Sequence, residues 1–124
     1  MIVLLDTHAL LWALEDSPHL SAAARTTIED TANVVVVSVA SAWEIAIKRA
    51  LGRLDAPDDL VDAVNAAGFV KRIIRFEDVD VLASLPPHHR DPFDRMLVAQ
   101  ATHDGVPIVS RDAQIAQYQV QVIW

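Results

Sequence analysis

Short apolar runs without polar alternation recur along the chain and predict buried β-strands. Ile2 to Leu5 and Val34 to Val37 are continuous aliphatic runs, and Val106 to Ser110 is similar. Strands covered by helices on both faces of a parallel sheet have this composition. Phe69 to Phe76 and Val120 to Ile123 are further predicted strands, and the cations within the former indicate an edge position.

Segments with helical periodicity lie between these runs. The six predicted helices are Thr7 to Leu14, Ser21 to Thr31, Ala40 to Leu51, Asp58 to Ala67, Val79 to Leu85 and Pro92 to His103. Strands that alternate with helices over short connections predict βαβ units. We therefore expect one α/β domain over residues 1–124, a three-layer α/β/α sandwich around a mostly parallel sheet of four or five strands.

Composition limits the class of protein and its compartment. With 124 residues, 52% of them hydrophobic, the chain can form one substantial core. The absence of cysteine excludes disulfides, thiolate zinc sites and cysteine nucleophiles, and it fits a reducing compartment. No apolar run approaches the roughly 20 residues that span a bilayer. The first residues lack the basic segment of a secretion signal, so we expect a cytoplasmic protein.

The net charge of −7 bears on the partners of the protein. Nonspecific binding of nucleic acid over a broad surface requires many Lys or Arg contacts to phosphate, so this charge is evidence against it. The objection weakens if several of the acids surround metal ions, because bound cations reverse the local charge.

Acidic side chains follow the ends of the predicted strands. Asp6 comes directly after Ile2 to Leu5, Asp112 follows Val106 to Ser110, and Glu44 lies early in the helix after Val34 to Val37. Asp94 lies in the first turn of its own helix, three residues after Asp91. Ligands of open parallel sheets bind beyond the carboxyl ends of the strands, so these acids are the candidates for chemistry.

Each acid also has a purely structural explanation. Asp6, Asp91 and Asp112 stand where helix N-caps are expected, and Glu44 precedes Lys48 by four residues, the spacing of a surface ion pair. The position of Asp94 would also favour the positive end of a helix dipole.

The helical face of Asp94 favours a functional explanation. Asp94 shares a face with Leu97, Val98 and Ala101, so its carboxylate is predicted to point toward the core. A buried carboxylate near other acids requires a cation, because like charges in one site cannot all remain ionised. Oxygen ligands alone favour Mg²⁺ or Mn²⁺ over zinc.

Four motifs in order along the chain carry a resemblance to a known family. They are Ile2-Val-Leu-Leu-Asp6-Thr7, Ser38-Val-Ala-Ser-Ala-Trp-Glu44, Arg90-Asp91-Pro92-Phe93-Asp94-Arg95 followed by Met-Leu-Val-Ala-Gln-Ala, and Ile108-Val-Ser-Arg-Asp112. Together they resemble the PIN-domain ribonucleases, and within that family the VapC-type toxins of bacterial and archaeal toxin–antitoxin systems. The fold implied is the PIN-like α/β/α sandwich.

The resemblance implies a site, a reaction and partners. Asp6, Glu44 and Asp94 are implied as the principal metal-binding acids, with Asp112 as the fourth. Asp91 belongs to the same motif and is either a helix cap that supports these acids, which we favour, or a direct ligand. One or two Mg²⁺ or Mn²⁺ ions would activate water for hydrolysis of RNA, leaving a 3′-hydroxyl and a 5′-phosphate. A homodimer is implied, together with inhibition by a VapB-like antitoxin whose C-terminal segment lies across the cleft.

Residues beside the acids are assigned supporting roles. Thr7 and Ser110 are groups that would orient a carboxylate or a bound water. Ser38 is included because it lies within its motif. Arg90, Arg95 and Arg111 either hold RNA phosphates or balance the acids. His88 and His89 lack a standard metal-binding spacing, so we expect polar surface there. Leu11, Trp12 and Leu14 are candidates for either a partner surface or the core.

Other functions remain open. A phosphatase of the haloacid dehalogenase type would use Asp6 as nucleophile but needs a second Asp two residues later, where this chain has His8. A noncatalytic PIN-fold binding module would have lost an acid, and none is lost. A PIN-fold RNA-processing nuclease without an antitoxin cannot be distinguished by its residues.

Overall fold

The computed structural model describes all residues from 1 to 124. In chain order the elements are β1 (Ile2–Leu5), α1 (Thr7–Leu14), α2 (Ala22–Glu29), β2 (Val34–Ser38), α3 (Val39–Ala50), α4 (Leu60–Ala66), β3 (Val70–Arg72), α5 (Phe76–Ser84), α6 (Pro92–Asp104), β4 (Ile108–Val109) and β5 (Val122–Ile123). A turn of 3-10 helix, Ile115–Gln117, lies between β4 and β5.

The five strands form one sheet in the order β3-β2-β1-β4-β5, and every neighbouring pair is parallel. This confirms the predicted α/β fold and the edge position of β3. The chain leaves β1 toward β2 on one side and returns to β4 on the other. Between β1 and β4 the strand order therefore reverses, and crevices for ligands form at such a point.

The core lies on both faces of the sheet. Val3 and Leu5 of β1 pack with helices α1 to α4, whereas Leu4 faces the other way, toward Leu97 on α6. Alternation along the strand explains the division, because successive side chains point to opposite faces. Leu11 is 3% exposed and belongs to the core, and Trp12 and Leu14 pack against it. None of the helices has the length and apolar character that crossing a membrane requires.

Two predicted strand boundaries were wrong for identifiable reasons. The predicted strand Phe69 to Phe76 stops at Arg72, and α5 begins one turn earlier than expected. The Asp78 carboxylate accepts the Arg75 N–H at 2.8 Å and so defines the start of that helix. The run that begins at Val106 forms strand only after Pro107, which has no N–H for a strand ladder.

Replacing Ser21 with Ala should lower the free energy of unfolding by about 1 kcal/mol, because the Ser21 hydroxyl caps α2. Its Oγ accepts the Ala24 N–H at 3.0 Å. Urea denaturation of Ser21→Ala beside Ser84→Ala measures this, since the Ser84 hydroxyl caps no N-terminus and only donates to the Val81 carbonyl. Equal stability of the two variants would contradict the assignment.

Candidate functional site

The four predicted acids come from four parts of the chain and meet beyond the carboxyl ends of the central strands. Asp6 follows β1, Glu44 lies in α3, Asp94 opens α6, and Asp112 follows β4. The charges of Asp6, Glu44 and Asp112, together with that of Asp91, all raise the pKa of Asp94. The structure therefore brings these acids into one neighbourhood, which we call the acid cluster.

Asp94 is a partly buried acid whose pKa is strongly raised. Its side chain is only 17% exposed. Burial, followed by the charges of Asp91, Glu44, Asp6 and Asp112, raises its pKa to about 7. A carboxyl with such a pKa is harder to ionise than an ordinary Asp, and this is a common property of functional sites.

Asp6 caps a helix and belongs to the acid cluster at the same time. Its Oδ1 accepts the Ala9 N–H at 2.8 Å as the N-cap of α1. The residue is 5% exposed, and burial raises its pKa, opposed by a hydrogen bond with the Ser110 side chain. The structural explanation of Asp6 as a cap is thus correct, and it leaves the second carboxylate oxygen for other contacts.

Glu44 is buried and held on both oxygens. Its residue exposure is 3%, and Thr7 Oγ1 donates to Oε1 at 2.6 Å. Lys48 Nζ contacts Oε2 at 2.5 Å, and the Glu44 hydrogen bond is the main cause of a raised Lys48 pKa. The spacing of Glu44 and Lys48 therefore does give an ion pair, but one between a buried carboxylate and a partly exposed ammonium rather than the surface pair considered from the sequence.

Asp91 and Asp112 both accept hydrogen bonds from backbone N–H groups of the residues that follow them. Asp91 Oδ1 accepts the N–H groups of Phe93 and Asp94 at 2.9 and 3.0 Å, so it caps α6 as predicted. Asp112 Oδ1 accepts the Gln114 N–H at 2.8 Å, and its own N–H donates to Ser110 Oγ at 3.0 Å. Ser110 therefore lies beside both Asp6 and Asp112.

Of the other predicted supporting residues, Arg95 is directed away from the acids. Its guanidinium donates to the Pro86 carbonyl at 2.8 Å and to the Tyr118 hydroxyl at 3.0 Å. Arg111 is exposed and lies over the Trp12 ring, 4.7 Å from the ring centroid. Ser38 Oγ accepts the Ala40 N–H as the N-cap of α3.

The expectation that both loop histidines are polar surface was wrong for one of them. His88 is exposed, but the His89 side chain is only 5% exposed, and its Nε2 lies 3.7 Å from Asp94 Oδ2. A histidine without metal-binding spacing gave no signal in the sequence. Only its proximity to the Asp91–Asp94 helix start hinted at the site.

The chemistry of the acid cluster fits a hard divalent cation. Its donors are carboxylate oxygens, which Mg²⁺ and Mn²⁺ prefer, and a cation would relieve the repulsion that raises the Asp94 pKa. No three acidic or histidine side chains converge tightly enough to form a ready-made metal site. The hydrogen bonds of Asp6 to Ala9 and of Glu44 to Thr7 and Lys48 keep these carboxylates turned toward protein donors.

The largest concavity of the molecule, about 520 Å³, is elsewhere. Val34 and Val70, the first residues of β2 and β3, help to line it, so it lies at the amino ends of the strands. Ligands of parallel α/β sheets bind at the opposite ends. The acid cluster is therefore the better candidate.

Comparison with known proteins identifies relatives of the fold. The family model described as PIN domain matches residues 3–121. A solved structure from Rickettsia felis, described as VapBC2 bound to a DNA fragment from their promoter, superimposes with a TM-score of 0.70 and 13% identity. The match covers 98% of this chain and 97% of that chain. No curated protein matches the sequence.

Proposed function

The chain belongs to the PIN-domain family, a family of nucleases, and on that premise we propose that it is a metal-dependent endoribonuclease of the VapC toxin type. Residues 1–124 act as one nuclease domain. The observation that carries the proposal is the placement of the partly buried Asp94 carboxylate among four other acids at the ligand-binding end of the sheet.

Asp6, Glu44, Asp94 and Asp112 would hold the Mg²⁺ or Mn²⁺. When bound, the cation supplies an activated water and neutralises charge that builds on the RNA phosphate and the leaving oxygen. The chain itself orients the acids. The Asp91 cap presents Asp94, and the Thr7 hydroxyl holds Glu44.

The substrate is RNA in single strands or loops, because a shallow acidic surface does not read the edges of a duplex. Cleavage leaves a 3′-hydroxyl and a 5′-phosphate. Arg111 is exposed next to Asp112 and is a better candidate for a phosphate contact than Arg95, whose guanidinium is engaged by the 85–86 segment. Because the net charge of the protein is −7, RNA binding depends on such local contacts and on the cation.

A VapB-like antitoxin is the proposed partner, and its C-terminal segment would cover the acid cluster. The support is the likeness of this fold to that of a VapBC pair on promoter DNA. As part of the same proposal, the protein forms a homodimer and acts in the cytoplasm. An RNA-processing nuclease would have the same site and no antitoxin, so copurification with a small DNA-binding partner separates the two functions.

Cleavage of a structured RNA pool by the purified protein tests the activity. Cleavage with added Mg²⁺ or Mn²⁺ that stops with EDTA and returns with excess metal would support the proposal. Cleavage that persists in EDTA would contradict the metal centre. Failure to cleave any RNA with either metal would favour a noncatalytic binding module with the same fold.

Replacing Lys48 with Met should strengthen Mn²⁺ binding about twofold to fivefold, the range expected for a partly exposed charge contact. The Lys48 ammonium occupies Glu44 Oε2 and is also attracted by Asp91 and Asp94, so it competes with a cation for the acid cluster. Calorimetric titration with Mn²⁺ measures the change. Lys71→Met is the control, because exposed Lys71 contacts Asn65 instead. Weaker binding by Lys48→Met would show that Lys48 supports the site.

A further inference from the structure

His89 presents an unpartnered ring nitrogen to the acid cluster. Its side chain is 5% exposed, and the buried Nε2 has no hydrogen-bond partner. The nearest acidic atom is Asp94 Oδ2, 3.7 Å away, which is beyond a hydrogen bond as the atoms stand. A shift of about 0.5–1 Å would bring the pair within bonding distance. A buried polar atom without a partner is costly, so this nitrogen requires an explanation.

The hydrogen bond made by the other ring nitrogen of His89, Nδ1, determines whether Nε2 carries the ring proton. His89 Nδ1 lies 2.8 Å from the Tyr118 hydroxyl, and Arg95 Nη1 donates to the same hydroxyl at 3.0 Å. Arg has only donors, so the Tyr118 oxygen accepts from Arg95 and keeps its own proton for another group. His89 Nδ1 is the acceptor within reach. Neutral imidazole carries one N–H, which is then on Nε2, facing Asp94.

The ring is held firmly in this orientation. Besides the hydrogen bond, His89 packs against the Tyr118 ring at a centroid distance of 5.4 Å, and His88 contacts the same ring at 4.8 Å. Arg95 is anchored by the Pro86 carbonyl as well as by Tyr118. A chain of contacts thus runs from Arg95 through Tyr118 and His89 to the Asp94 carboxylate.

We propose that His89 is a positioning residue that donates from Nε2 to Asp94 Oδ2 and, with Tyr118 and Arg95 behind it, fixes which carboxylate oxygen faces the acid cluster. This inference rests on the proposed function, since it gives Asp94 an orienting partner for cation binding. Partners of this kind fix the orientation of metal-binding carboxylates, and their loss typically costs tenfold to a hundredfold in metal affinity or activity.

Nitrogen-15 NMR of the histidine rings tests the tautomer without metal or RNA. The expected spectrum has an unprotonated Nδ1 and a protonated Nε2 for His89, assigned by the signal missing in His89→Gln. Tyr118→Phe should remove this preference, because the phenyl ring cannot donate to Nδ1. A wild-type His89 protonated on Nδ1 would overturn the proposal, since the Nε2 lone pair would then face the cluster as a ligand does.

Variants of His89 test the consequence for the acid cluster. His89→Leu should weaken Mn²⁺ binding and lower kcat for RNA cleavage about tenfold to a hundredfold, with little change in KM. His89→Gln, which keeps a side-chain N–H donor, should recover most of both. Urea denaturation of each variant separates this from a packing defect, because lost packing would lower the stability of the two variants without such a difference in Mn²⁺ affinity.

Matched changes at the exposed His103 serve as controls and should leave Mn²⁺ affinity and cleavage unchanged. If His89→Leu binds Mn²⁺ and cleaves RNA as wild type does, the proposal is wrong. If His89→Gln is as impaired as His89→Leu, donation from this position is also excluded. A wild type that neither binds Mn²⁺ nor cleaves RNA, yet shows the Nε2–H tautomer, would overturn the nuclease assignment while supporting the His89–Asp94 contact.

Discussion

Replacing Asp94 with Asn should reduce RNA cleavage by about 100-fold to 1000-fold, the scale on which loss of one charge-stabilising group acts in enzymes. Asn keeps the shape of the side chain and removes its charge. The same substitution should leave the free energy of unfolding at neutral pH, measured with EDTA, unchanged or increased. The reason is that burial and four neighbouring acids disfavour the ionised Asp94 carboxyl, as its pKa of about 7 indicates.

The matched control is Asp80→Asn, which makes the same chemical change at an exposed position of α5. It should alter neither cleavage nor stability by a measurable amount. The combination of lost activity and retained stability distinguishes a functional acid from a structural one. Cleavage that survives in Asp94→Asn would place the active site elsewhere, and a large loss of stability would show that Asp94 acts as a structural residue.

Replacing Arg72 with Met should destabilise the protein by about 3–5 kcal/mol, because it leaves the buried carboxylate of Asp78 without its cation. The Arg72 guanidinium donates to both oxygens of Asp78, at 2.9 and 2.7 Å, and to Asp104 at 2.9 and 3.1 Å. Arg72 is 7% exposed and Asp78 is fully buried. These contacts join the edge strand β3 to α5 and α6.

Urea denaturation at neutral pH measures this loss, and Asp104→Asn provides the comparison. The Asp104 side chain is 30% exposed, so its contact with Arg72 is screened by water and should contribute about 1 kcal/mol or less. If Arg72→Met costs no more than Asp104→Asn, the buried pair between Arg72 and Asp78 contributes nothing specific to stability.

The Arg72–Asp78 pair should also make the free energy of unfolding depend on pH in the acid range. Burial alone would raise the pKa of Asp78, but hydrogen bonds from Arg72 and from the Arg75 N–H outweigh it, and the pKa is lowered from 3.8. A carboxyl with a lowered native pKa stabilises the fold above its unfolded pKa. This stabilisation is lost as the pH falls below about 3.8 through the native pKa. Urea titrations between pH 3 and 6 should therefore show that the free energy of unfolding falls more steeply with decreasing pH in wild type than in Asp78→Asn.

The types of the helices and strands and the candidate acids could be predicted from the amino-acid sequence alone. Apolar runs such as Ile2 to Leu5 can be read along the chain itself, because a strand that is covered on both faces is continuously apolar. Asp6 and Asp91 were placed correctly as caps, because a cap bonds to an N–H only two or three residues away. Their positions after strands and at helix starts then predicted where acids gather, since parallel strands end at a common edge.

Features that depend on contacts between residues distant in sequence became visible only in the folded molecule. The full burial of Asp78 depends on Arg72, which also binds Asp104, 32 residues further along the chain from Arg72. The burial of His89 depends on Tyr118, 29 residues away, which also turns Arg95 from the acids. No local pattern encodes such pairs, because their energy comes from removing both partners from water together, and that happens only when the chain is folded.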